Sequence, residues 1–227
     1  MKIAVVLTQW KRAHLEKQLE SMARQTIHID YLIVFQNENH VDISDLKQKY
    51  NFIHVLSEYN TKYFGRFANL FTYPVDICCV LDDDIIPGIN CIKNYCDQCI
   101  EKNAIIGGNG RNITKKPAGV DTGFRKGIQV DFVGHLWCFK KEWLHYMFGN
   151  KPYTYDTSED MHLCFSARHF GGINSYIGEQ LLRDDVCDIY LNGLANDQHS
   201  SFKITNKTNI RQEVIDHWVK TVGYKHI

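Results

Sequence analysis

The chain has 227 residues, 44% of them hydrophobic, which suits one large domain or one domain with an appended tail. Its 26 basic and 26 acidic residues cancel and the pI is about 7.1, so nothing global attracts nucleic acid or an anionic membrane. No segment approaches the ~18 apolar residues of a membrane span. The apolar run after Lys2 is too short for a leader and lacks a small-residue cleavage site, which predicts a cytoplasmic protein, in the host cytoplasm if viral.

Ile3–Leu7 reads as a first core strand. Leu15, Leu19, Met22 and Ala23 then recur at helical spacing. Tyr31–Phe35 is a second strand, ending in Gln36-Asn37-Glu38. A short helix is expected around Ile43, Leu46 and Tyr50, and a third strand at Phe52–Leu56. Phe64, Phe67, Ala68 and Phe71 form the next helical face. Asp76–Leu81 is a buried strand, Pro87–Glu101 a helix, and Ala104–Ile106 a fifth strand. This alternation predicts an α/β fold, with a mostly parallel central sheet and helices on both faces. Neither a Gly-x-Gly-x-x-Gly fingerprint nor a P-loop follows the first strand.

The second half is less regular. Residues 108–127 are rich in Gly, Lys, Arg and Asn and read as a long loop. Gln129–Val133 alternates like a half-exposed strand. Trp143, Met147 and Phe148 suggest a short helix, and Glu159–Phe170 a longer one. Ile210, Val214, Trp218 and Val222 suggest a docked terminal helix.

Eight cysteines raise disulfide and metal readings. Cys91, Cys96 and Cys99 have the C-x4-C-x2-C spacing of plant-type iron–sulfur proteins. They fall on an amphipathic helix with Ile89, Ile92 and Ile100, whereas cluster ligands sit on loops. Reduced, buried thiols are the preferred reading. The sequons at Asn112 and Asn206 carry meaning only in a secreted protein.

The chemistry concentrates at strand ends. Asp82-Asp83-Asp84 follows a buried strand directly, at the sheet edge where open α/β folds bind ligands. Clustered carboxylates there suit a hard divalent cation, and such a cation suits a diphosphate. Thr8, Gln9 and Arg12 at the end of the first strand, with Asn37 and Glu38 at the end of the second, are where a base and ribose would sit. Lys62 and Arg66 are spaced to share a helix face near its N-terminus, favourable for phosphate. Glu159 and Asp160 open a helix. Asp156 or Ser158 could simply cap that helix, and acids favour its first turn in any case.

Taken in order, these residues resemble a glycosyltransferase of the GT-A fold. Asp82-Asp83-Asp84 resembles that family's Asp-x-Asp motif, and Glu159-Asp160 the acidic pair near the reacting sugar. The segment containing Gly134, His135 and Trp137 resembles the loop lining the donor sugar and acceptor. Exostosin-like and large-algal-virus-encoded transferases are the most similar in pattern. The resemblance implies one GT-A domain, with residues 1–107 as the nucleotide-binding half and 108–227 as the donor-sugar and acceptor half. It implies a UDP-sugar donor, Mn²⁺ or Mg²⁺, and a glycan or glycoprotein acceptor. By family position Asp84 is a direct metal ligand, Asp82 a ribose or metal partner, and Asp83 a sugar contact. Asp160, with Glu159, acts at the sugar, leaning towards retention of configuration. His199 is a candidate extra ligand to metal or diphosphate, and Lys203 a phosphate contact. A nucleotidyltransferase of similar layout and a non-catalytic sugar-nucleotide or glycan-binding module stay open as alternatives. A haloacid-type phosphatase fits poorly, because its Asp-x-Asp lies near the N-terminus.

Overall fold

The computed structural model describes residues 1–113, 127–179 and 207–227. Strand β1 (Ile3–Gln9) is the spine of the fold. Ile3 to Leu7 are all at most 1% exposed, as a strand covered on both faces requires. It pairs in parallel with β2 (Tyr31–Asn37) on one side and with β4 (Ile77–Leu81) on the other. β3 (Ile53–Ser57) continues the parallel run beyond β2. The first-half strands therefore all end at one edge of the sheet.

The other half of the sheet is mixed. β5 (Ile105–Arg111), β6 (Gln129–Val130), β7 (Phe132–Lys140) and β8 (Ser175–Ile177) complete an eight-stranded sheet of order β3-β2-β1-β4-β7-β5-β8-β6. The expected fifth strand, β5, does run parallel to β4 but is not its neighbour. Instead β7 inserts between β4 and β5, antiparallel to both. Its apolar residues, from Val133 through Phe139, are nearly all buried, so it fits the sheet's centre better than its rim. The insertion has a functional consequence. β7 begins at the edge where β4 ends, and the Asp82 amide donates to the His135 carbonyl at 2.9 Å.

Helices α1 (Leu15–Ala23), α2 (Ser44–Lys49), α3 (Gly65–Ala68) and α4 (Cys91–Lys102) connect the first strands. α4 starts later than the Pro87 expected from the sequence. Residues 87–88 are tied to α1 and the residue pair beyond it: Ser21 Oγ donates to the Pro87 carbonyl and Gln25 Nε2 to that of Gly88 at 2.8 Å. The buried face of α4 is Cys91, Ile92, Tyr95, Cys96 and Cys99, while Ile89 and Ile100 are exposed. The expected Phe64–Phe71 helix is one α-turn followed by a 3₁₀ turn (Asn69–Thr72), which leaves Phe71 exposed. Gly65 opens that turn because a Cβ there would lie 2.1 Å from Thr61 Oγ1 and 2.7 Å from the Phe35 ring.

In the second half, α5 (Leu144–Phe148) packs against α6 (Glu159–Gly171), and α6 lies across β7. The chain closes with α7 (Lys207–Asp216) and a π-turn (His217–Val222). Val214 and Trp218 are each 2% exposed, so the expected docking of the terminal helix is observed. Fully buried Asp131, between β6 and β7, fastens this segment. Its carboxylate accepts from the Tyr224 hydroxyl (3.1 Å), the Ile227 amide (3.0 Å) and the Ile113 amide (2.7 Å), with Arg168 at 3.3 Å.

Candidate active site

The ends of β1 and β4, the start of β7, α3 and the start of α6 converge on one edge. Arg66 is the hub. Its guanidinium is 4% exposed. It donates through Nη1 to Asp82 and through Nη2 to Glu159 Oε1 at 2.8 Å, with Thr8 Oγ1 at 3.4 Å. The Trp137 ring lies 4.7 Å away, a cation–π contact from below. Burial opposes the charge on Arg66, but Asp82 and Glu159 outweigh it and hold the side chain firmly protonated. Burial and neighbouring Asp160 push the Glu159 carboxyl upward.

Arg12 serves the other two aspartates. Nη1 donates to Asp83 and lies 3.3 Å from Asp84 Oδ2. Burial raises the Asp83 carboxyl. The Asp84 carboxyl is pushed up to about 7, first by burial and then by the charges of Asp82 and Asp83. Five carboxylates thus face the three guanidiniums that pair with them, the third being Arg211 on α7. Arg211 grips Asp160 with two donors, at 2.8 and 3.2 Å. Asp160 also accepts from the Met161 amide at 2.8 Å.

The cap reading of the Ser158 region fails on geometry. Ser158 has φ +65°, makes no side-chain cap bond, and its Oγ is buried without a partner, as is that of Thr157. A non-glycine residue held in the left-handed region beside two orphaned hydroxyls is local strain of the kind that gathers at functional sites. His135 and Glu38, on the same edge, have φ +69° and +68°. Gly134 lies next to Asp160: a Cβ there would sit 4.0 Å from Asp160 Oδ2, an ordinary contact. His135 is held towards its neutral form by burial.

The residues expected around a base and ribose divide into two groups. Gln9 is 1% exposed and gives its amide to the Arg12 carbonyl at 2.8 Å and that of Trp10 at 3.2 Å. Asn37 ties down Asn60, Thr61 and Lys62. Both shape loops. Glu38 instead lies at the rim, accepting from Trp10 Nε1 at 3.3 Å and facing His40 at 3.2 Å. Lys62 does not share a helix face with Arg66. It precedes α3, has φ +53°, and sits exposed 3.7 Å from Asp156. His199 and Lys203 lie outside the described residues. Sequence reasoning missed Arg211, whose partner is 51 positions away and whose helix gives no local sign of a site.

No protein-family model matches the chain, and no curated protein matches it. Solved structures do. Staphylococcus aureus TarS, a glycosyltransferase, superposes with a TM-score of 0.59 at 14% identity, over 82% of this chain and 36% of TarS. The fold is a glycosyltransferase fold. TarS 1–349 in complex with UDP gives 0.59 and 14%, over 82% of this chain and 59% of that one. Its complex with UDP-GlcNAc gives 0.58 and 13%, over 84% and 62%. The chain thus spans less than two thirds of these neighbours' length. The likeness supports the glycosyltransferase fold without supporting the exostosin-like or algal-virus resemblance in particular. Among the described residues, no helix is long and apolar enough to cross a membrane.

Proposed function

We propose that the chain transfers a sugar from a nucleotide diphosphate donor, a UDP-sugar, to a glycan or glycoprotein acceptor, with Mn²⁺ or Mg²⁺. The observation that carries this reading is the excess of carboxylates over guanidiniums at the strand-end edge, with Asp84 driven up to about 7 by burial and then by the charges of Asp82 and Asp83. An all-oxygen carboxylate set fits a hard divalent cation, and Asp84 and Asp82 would hold it, with His199 as an additional ligand. Such an ion, when bound, stabilises the negative charge that builds on a diphosphate leaving group.

The chain's own residues then have distinct tasks. Residues 1–107 form the nucleotide half. Thr8, Arg12 and Glu38 flank base and ribose, on loops shaped by Gln9 and Asn37, and Lys62 reaches the phosphates from the rim. Arg66 orients Asp82 and Glu159. Residues 108–227 hold sugar and acceptor, against Gly134 and His135 and beside Asp83, while Trp137, expected in that lining, is buried at 1% exposure and supports Arg66 instead. Tyr153 and Tyr155, both exposed just before α6, suit stacking on a sugar face. Asp160, held by Arg211, acts at the reacting carbon or on the acceptor hydroxyl. Retention requires Asp160 beneath the anomeric carbon, inversion requires it at the acceptor, and the product's anomeric proton coupling separates the two.

The test is incubation with a panel of UDP-sugars with and without Mn²⁺, following UDP release. Metal-dependent UDP release supports the reading. Formation of UTP and sugar 1-phosphate on addition of pyrophosphate would identify a nucleotidyltransferase, and UDP-sugar binding without turnover a non-catalytic module.

A further inference from the structure

Away from the carboxylate edge, three thiols meet inside the sheet–helix core. Cys79 on β4 and Cys138 on β7 are direct cross-strand partners in the antiparallel pair. Cys96 reaches them from α4, which packs over β7. All three are fully buried, and their sulfurs lie within 4.8 Å of one another. They are the one such group of potential metal ligands among the described residues; the aspartates of the candidate active site do not close in this way. The Cys96 and Cys138 sulfurs are 4.0 Å apart.

That spacing has a geometric meaning. With metal–sulfur bonds of about 2.3 Å, trigonal ligation sets sulfurs about 4.0 Å apart and tetrahedral ligation about 3.8 Å apart. Cys99, one helical turn beyond Cys96, is buried on the same face of α4 and stands beside the trio as a fourth thiol. The C-x4-C-x2-C spacing therefore supplies two thiols to one face, and the sheet supplies the other two.

We propose that Cys79, Cys96 and Cys138 bind a thiophilic d¹⁰ cation, zinc or copper(I), as a structural site separate from the carboxylate edge. Soft thiolate ligands select these ions over Mg²⁺ or Mn²⁺. Each ligating thiol releases its proton to solvent as the sulfur–metal bond forms. With all three sulfurs buried, the ion enters while the chain folds, and afterwards exchanges slowly.

The experiment is elemental analysis of protein purified from zinc- or copper-supplemented cultures and washed with EDTA to strip hard divalent ions. A stoichiometric thiophilic metal is expected in the wild type and in Asp84→Asn, so the result does not depend on transferase chemistry. Cys96→Ser and Cys138→Ser should lose it, whereas Cys164→Ser, altering a buried thiol elsewhere, should keep it. Loss in Cys99→Ser would indicate a four-sulfur zinc-type site, and retention a three-sulfur site. Should the trio variants fold poorly, protein produced in cobalt medium gives an independent readout, sulfur-to-cobalt charge transfer in wild type. Metal-free wild type from every culture, with all its thiols reacting as free thiols on denaturation, would overturn the proposal.

Discussion

Arg66 bridges Asp82 at the end of β4 to Glu159 at the start of α6, and so ties the first half of the chain to the second through one buried guanidinium. Removing it leaves two carboxylates without a cation, one of them deeply buried. Truncating one member of a buried charge network typically costs about 3–5 kcal/mol. Arg66→Met should therefore lower unfolding stability by that order in urea melts. Adding Glu159→Gln should recover part of the loss, because the uncompensated charge goes with it. No recovery in the double variant would argue against the bridge.

Asp84 makes a prediction with a definite sign. Its carboxyl is raised from 3.8 to about 7 in the folded chain. A raised acid contributes stability fully below its unfolded pKa and loses that contribution as pH rises through the folded pKa. The metal-free protein should lose stability across roughly pH 4–7 from this group, and Asp84→Asn should remove that loss. The variant should therefore melt higher than wild type above about pH 8 without divalent ions, by at most a few kcal/mol at ~1.4 kcal/mol per pKa unit. Mn²⁺ should then stabilise wild type alone. In calorimetry, Asp84→Asn should also weaken Mn²⁺-dependent UDP binding.

Asp160 and Arg211 should fail differently from Asp84. Asp160→Asn should cut turnover by about 10²-fold or more, the order for a positioned acid–base group. UDP affinity should be almost unchanged, since the loss falls in the transition state. Arg211→Lys keeps a charge but not the two-donor grip, so it should restore only part of the activity lost in Arg211→Met. A variant of Asp160 that turns over normally but melts lower would assign the residue to folding alone.

Asp131 predicts how firmly α7 is held. Its carboxylate gathers the Tyr224 hydroxyl and the Ile227 amide. Tyr224→Phe should cost about 1 kcal/mol, a typical net hydrogen bond. Asp131→Ala should cost about 3 kcal/mol or more, because Arg168 and several donors lose their acceptor inside the protein. Hydrogen exchange should show the deprotection spreading from the C-terminus into α7, and with it a loosening of Arg211 on Asp160.

The parallel half of the sheet was legible in the sequence. Ile3–Leu7 and Ile77–Leu81 are short, continuously apolar, and separated by helical repeats, a pattern local enough to read without a structure. It also placed Asp82–Asp84 at a strand end, since a carboxylate run directly after a buried strand has few other locations. Helix α6 and the docking of Trp218 were legible for the same reason. The insertion of β7 beside β4 was not, because strand order depends on which faces pack together and not on chain order. Neither was the short α3, where crowding around Gly65 and the demand for a buried Arg66 override the phenylalanine spacing. The pairing of Arg66 with Glu159, 93 positions apart, and of Arg211 with Asp160, 51 apart, exists only in three dimensions. Local periodicity reports what each segment buries; which charge neutralises which is decided by the tertiary fold that brings them within hydrogen-bond reach.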